Sequence, residues 1–227
     1  MIQSDKSESI MEIKNYLNKS LDFVIRRLFE LFGMLLIILS LYLLISLVSY
    51  SPEDPNLIFK DISNVKNLMG KNGSIISDFL FQSFGLMSFL FSLTILFNGF
   101  FALKNKSISF VLESFFYTIL YLILGSLFLS FYYENSFWLI VNGNGGFVGK
   151  YLTNTFLGNI ITINTEIGYY VLIIFVLLLF FLSTKIKLQN IILIFKLVSK
   201  NKIFIKDRST DKINIIREEE NIDNMVE

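Results

Sequence analysis

Four long stretches of the chain are almost free of charge, and they constrain the fold more than any motif does. Leu31 to Val48 contain no charged residue. An α-helix rises about 1.5 Å per residue, so this run with its flanks covers a hydrocarbon core of about 30 Å. The same reading places spans over about 28–50, 79–103, 110–132 and 167–184. Charged residues make up 17% of the chain, against about a quarter in soluble domains, and they concentrate between these runs. The expectation is an all-α integral membrane protein with four transmembrane helices. The first run is too long for a signal-peptide apolar region, and no small-residue cleavage pattern follows it at Ser49, Tyr50 and Ser51. Pro52 and Pro55 stop its helix.

Residues 147–163 are the stretch that decides the count. They are apolar in part, but Lys150, Thr153, Asn154, Thr155, Gly158, Asn159 and Thr162 interrupt them. Backbone groups left unpaired there would be costly in lipid. The segment is expected to lie at the interface or re-enter from the outer face before the last span. Cations set the orientation. Lys14, Lys19, Arg26, Arg27, Lys104, Lys106, Lys185, Lys187, Lys196, Lys200 and Lys202 fall on one side, against Lys60, Lys66, Lys71 and Lys150 on the other. The positive-inside rule then puts both ends in the cytoplasm. Trp138, Tyr132 and Tyr133 suit an interfacial aromatic belt.

The flanks are amphipathic. Ile10, Ile13, Leu17, Leu21, Val24 and Leu28 recur at three- and four-residue steps. Residues 1–27 therefore read either as a cytoplasmic surface lead or as an extension of the first span. Leu188, Ile191, Ile192, Phe195 and Val198 form a second stripe, too short to cross. Residues 185–227 are expected to form a cytoplasmic surface helix followed by an acidic tail.

The chain has no Cys and no His. Thiol nucleophiles, histidine bases, disulfides and almost every zinc or haem site are thereby excluded. Two glycine patterns fail as nucleotide motifs. Gly143, Gly145, Gly146 and Gly149 miss the dinucleotide fingerprint because position 148 is Val. Gly70–Lys71 is followed by Asn72, and Val65 stands where a phosphate loop needs glycine. No cofactor is expected. Glu30 lies one turn from Arg26 and is expected to pair with it at the inner boundary. Glu113 is placed in the first turn of the third span, where the helix dipole favours an anion. Glu53, Asp54, Asp61 and Asp78 read as solvated loop acids. Within the spans, Ser88, Ser92, Asn98 and Gly125 fit helix packing, since small residues let membrane helices approach and an amide can bond across a pair.

Three loop patches carry a family resemblance. They are Ser49-Tyr50-Ser51-Pro52-Glu53-Asp54-Pro55; then Asn67, Gly70, Gly73, Ser74, Asp78, Gln82 and Gly85; then Gly145-Gly146-Phe147-Val148-Gly149. In this order and with four spans, residues 25–185 resemble the amino-terminal membrane region of FtsK-type DNA translocases. The resemblance implies an inner-membrane anchor and oligomerisation platform at the division septum, acting in cell division and chromosome segregation. Its implied partners are the lipid bilayer, further copies of itself and other division proteins. The pattern is departed from in one respect: these residues hold no motor, Walker motif or DNA-reading winged helix. ATP hydrolysis, DNA translocation and nucleic-acid contact are therefore not carried over, whether a motor is encoded separately, belongs to a longer chain, or is dispensed with. The competing class is a small-solute channel or transporter subunit, and a membrane enzyme is the least expected.

Overall fold

The computed structural model describes residues 2–59, 64–105, 109–136, 138–139 and 141–186, with residues 2–16, 105 and 109 by backbone alone. Among them every regular element is a helix: α1 (Ile2–Val48), α2 (Gly70–Phe84), α3 (Met87–Asn105), α4 (Ser109–Tyr132), α5 (Gly146–Thr153), α6 (Phe156–Ile163) and α7 (Thr165–Thr184). Four are long and apolar enough to cross a membrane: Leu17–Val48, Met87–Lys104, Phe110–Tyr132 and Thr165–Thr184. The all-helical fold with four candidate spans is as the charge-free runs require. The expected surface helix and acidic tail after residue 186 lie outside the described residues, as does Asp61.

The helix boundaries refine the sequence reading, and one of them departs from it. Of the two readings of the amphipathic lead, the structure takes the extension of the first span, because α1 runs unbroken from Ile2 to Val48. At about 1.5 Å per residue it is about 70 Å long, more than twice a hydrocarbon core. The departure is the run 79–103, which is not one helix. Residues 70–78, expected as loop, already belong to α2, whose buried face is Gly73, Ser74, Ser77, Leu80 and Phe81. The chain then turns at Gly85, with φ 61° and ψ −140°, a conformation open essentially to glycine alone. The candidate span starts only at Met87. The segment before the last span forms two helices of eight residues each, Gly146–Thr153 and Phe156–Ile163. Each is about 12 Å long, less than half of what a crossing needs.

Packing follows two principal pairs, α1 with α3 and α4 with α7, joined where α3 meets α4 and α7. Leu43, Leu47, Leu80, Phe81 and Leu139 form one apolar cluster; Met87, Tyr121, Leu122, Val176 and Leu179 form a second; Leu127, Ile161 and Leu172 form a third. The larger apolar surface faces outward. Ile38, Leu112, Phe115, Ile174 and Phe175 are all more than half exposed, whereas Ser40, Ser46, Ser88, Ser92, Ser114, Ser126 and Ser183 are fully buried. In water this distribution would be inside out. In lipid it is the expected one, because apolar side chains gain nothing by leaving the acyl chains and small residues let helices close together.

Candidate functional site

Chain direction brings the α1–α2 loop and the α4–α7 connection to the same end of the bundle, and there the three loop patches meet. The first forms a knot over the end of α1. Asp54, 5% exposed, accepts the backbone N–H groups of Lys66 and Asn67, each at 2.8 Å. Asn67 donates from Nδ2 to the Ser46 carbonyl at 2.8 Å, so the loop is tied back onto α1. Its Oδ1 accepts from the Met69 N–H at 3.0 Å, at the entry to α2. Ser74 donates to the Pro55 carbonyl at 2.8 Å, and Ser49 Oγ accepts from the Leu68 N–H at 3.0 Å. Gly73 fits against Ser46 and Asn67, where a Cβ would meet Ser46 Oγ at 3.0 Å. Ser51, Pro52 and the buried Pro55 form the turn that presents Asp54. Gly70 starts α2 with φ 68° and open space around it.

A relay of side chains leads from this knot to the second connection. Tyr50 donates to Asp78 Oδ1 at 3.1 Å, Gln82 donates to the same oxygen at 3.3 Å, and Asn142 donates to Gln82 Oε1 at 2.9 Å. Burial pushes the Tyr50 phenol well above its ordinary pKa, and the nearby Asp78 carboxylate adds to the shift. Tyr50 therefore stays a neutral donor.

The third part is a backbone cradle. The Leu86 N–H donates to the Asn144 carbonyl at 2.9 Å, directly after the Gly85 turn. Gly85 and Gly146 both have positive φ and lie against each other's backbone, so that a Cβ on either would strike the opposite chain. Asn144 holds the cradle by donating to the Tyr133 and Asn135 carbonyls at 2.8 and 2.9 Å. Gly145 and Gly149 sit four residues apart against Ser126 and Ser130 of α4, which have the same spacing. This close approach of small residues seats α5 on α4. Ser126 also donates to the Phe84 carbonyl at 3.2 Å, which satisfies the end of α2.

Within the spans, hydroxyl groups join the helix pairs. Ser40 donates to the Ser92 carbonyl at 2.7 Å, linking α1 to α3, and Ser88 donates to Leu80 at the α2–α3 elbow at 2.8 Å. Asn98 donates to Ser114 Oγ at 2.5 Å, and Ser114 donates to the Ser183 carbonyl at 2.6 Å. Gly125 receives the Met87 side chain.

The acids are placed differently from the sequence reading. Asp54 is buried and Asp78 half-buried, each consumed by hydrogen bonds, so neither is a solvated loop acid; Glu53 is exposed and paired with Lys66. Glu30 is held by Arg27 at 2.5 Å. Glu113 lies past the first turn of α4 and pairs with Lys185 beyond α7 at 2.6 Å. Sequence reasoning passed over Ser46, Ser130, Asn142 and Asn144. Small polar residues in glycine-rich or apolar surroundings carry no periodic signal, and only the fold gives them partners. Among the described residues no cluster of three or more potential metal-ligating acids occurs.

These features define a polytopic helical membrane protein whose two connections at one end are tied into a single polar cap. The chain belongs to the family of the 4TM region of DNA translocase FtsK/SpoIIIE, whose model matches residues 25–195. No curated protein and no solved structure matches the chain.

Proposed function

We propose that this chain is a non-catalytic inner-membrane anchor and self-association platform at the bacterial division site, with both ends in the cytoplasm. The observation that carries the reading is the cap. Residues of all three loop patches are spent on holding one another, as in a rigid platform, and no acid–base pair or nucleophile stands among them. Membership of the FtsK/SpoIIIE membrane-region family supports a role in cell division and chromosome segregation. Contacts with other division proteins and with further copies of the chain follow from the same reading, as does the absence of nucleic-acid contact. The span interiors favour packing over solute conduction, because Ser40, Ser88, Ser92, Ser114 and Thr118 each donate to a carbonyl of the bundle itself.

A fluorescent fusion at its native level in dividing cells tests this role. Enrichment at midcell that follows constriction is expected, and uniform envelope labelling would overturn the proposal.

A further inference from the structure

A polar cavity of about 430 Å³ opens between the end of α4 and α5, beside the cap. Its size falls in the range of small-molecule sites, about 300–1,000 Å³. Its polar lining comes from Ser130, Glu134, Asn142, Lys150, Thr153 and Asn154. What distinguishes it from the rest of the cap is unspent hydrogen-bonding capacity. Asn142 uses its Nδ2 on Gln82 and Asn154 uses its Nδ2 on the Lys150 carbonyl, which leaves both amide oxygens as free acceptors among the described residues. Ser130 is 8% exposed and lines the cavity.

The charges are arranged in the same way. Arg27 closes on Glu30 at 2.5 Å and Lys185 on Glu113 at 2.6 Å. Glu134 and Lys150 share the cavity without forming an ion pair, and the Lys150 ammonium makes only a long contact of 3.4 Å to the Val141 carbonyl. The cavity thus offers an anion and two amide oxygens to a cationic donor, and an ammonium and a hydroxyl to an anionic acceptor. A primary ammonium carries three N–H donors and needs that many acceptors. A carboxylate is suited to Lys150 and Ser130.

We propose that this cavity binds a small zwitterion with a primary ammonium and a carboxylate, of the amino-acid or dipeptide class. The ammonium is taken by Glu134 with the amide oxygens of Asn142 and Asn154, and the carboxylate by Lys150 with Ser130. Neither Glu134 nor Lys150 contributes to the knot, the relay or the cradle through its side chain, so changing either leaves the cap intact.

Titration calorimetry of the full chain in lipid nanodiscs, with glycylglycine as the probe, tests the site. Saturable binding is expected, and N-acetyl-glycylglycine and glycylglycinamide should each bind at least about tenfold more weakly, the equivalent of one charged hydrogen bond. Glu134→Gln and Lys150→Gln should weaken glycylglycine by a similar factor while the thermal transition of the nanodisc protein stays unchanged. Absence of saturable binding, equal binding of the blocked peptides, or full binding by both variants would overturn the proposal.

Discussion

Asp54 illustrates how a single loop carboxylate organises several segments. Its two oxygens accept from consecutive backbone N–H groups at Lys66 and Asn67, and the second of these residues is anchored to α1. Hydrogen bonds to a charged group contribute about 1.5–3 kcal/mol each. Asp54→Ala is therefore expected to lower stability by about 3 kcal/mol or more, read as a shift in the unfolding midpoint in mixed detergent micelles. Asp54→Asn, which keeps one acceptor oxygen, should recover part of that loss. Gly85 poses a different constraint, since its φ of 61° leaves no room for a side chain and its backbone lies against Asn144. Gly85→Ala should cost about 2 kcal/mol or more in the same assay, whereas Gly70→Ala, with nothing within 4 Å, should cost less. Tyr50 makes the cap sensitive to alkali. Its pKa is raised by burial, so its donation to Asp78 contributes fully below the ordinary tyrosine value of about 10 and fades as pH climbs through the higher folded value. The stability difference between the wild type and Tyr50→Phe, constant near neutrality, should close in strong alkali.

At the scale of elements, helix contacts rest on small residues, with hydroxyl bonds secondary. Gly33 of α1 and Gly99 of α3 face each other closely enough that a Cβ on Gly33 would lie 2.9 Å from the Gly99 carbonyl. Individual interhelical hydrogen bonds in membranes average only about 0.6 kcal/mol. Ser40→Ala, which removes the bond to Ser92, should therefore be mild, and Gly99→Leu severe because it forces α1 and α3 apart. Limited proteolysis in nanodiscs separates the two outcomes: the first variant keeps the wild-type pattern and the second gains cleavage in residues 49–69. How far the sequence disclosed these elements depended on the kind of signal each one carries. Spans were legible because the absence of charge over a membrane thickness has one inexpensive solution. The break at Gly85 was not, since Phe79 to Phe84 are as apolar as the residues that follow, and hydropathy cannot register a turn of two residues. Gly85 and Gly146 could be noticed in the loop patches, but not that they contact each other across 61 residues. Asp54 was misread for a related reason: an acid beside prolines in a loop looks solvated until the N–H groups that bury it are in place. The amides of Asn142 and Asn144 have the same character.

At the scale of the whole molecule, the cap joins the α1–α3 pair to the α4–α7 pair through contacts at one end. Tyr50, Asp78, Gln82 and Asn142 link residues far apart in sequence, and the Leu86–Asn144 bond closes the circuit. The proposed platform role calls for such rigidity at the cap, and the lipid-facing apolar surface needs none. The cap requires the two short helices α5 and α6 on the side where the 49–69 loop lies, because a crossing by residues 147–163 would separate the cap from itself. The natural absence of cysteine makes the test direct. Single cysteines replace Glu53, Val141, Asn159 and Lys104, each exposed, and a membrane-impermeant maleimide is applied from one side of sealed inverted or right-side-out vesicles. Cysteines at 53, 141 and 159 should label together from one face, with 104 labelled only from the other. Labelling of position 159 from the face that labels 104 would contradict the four-span account.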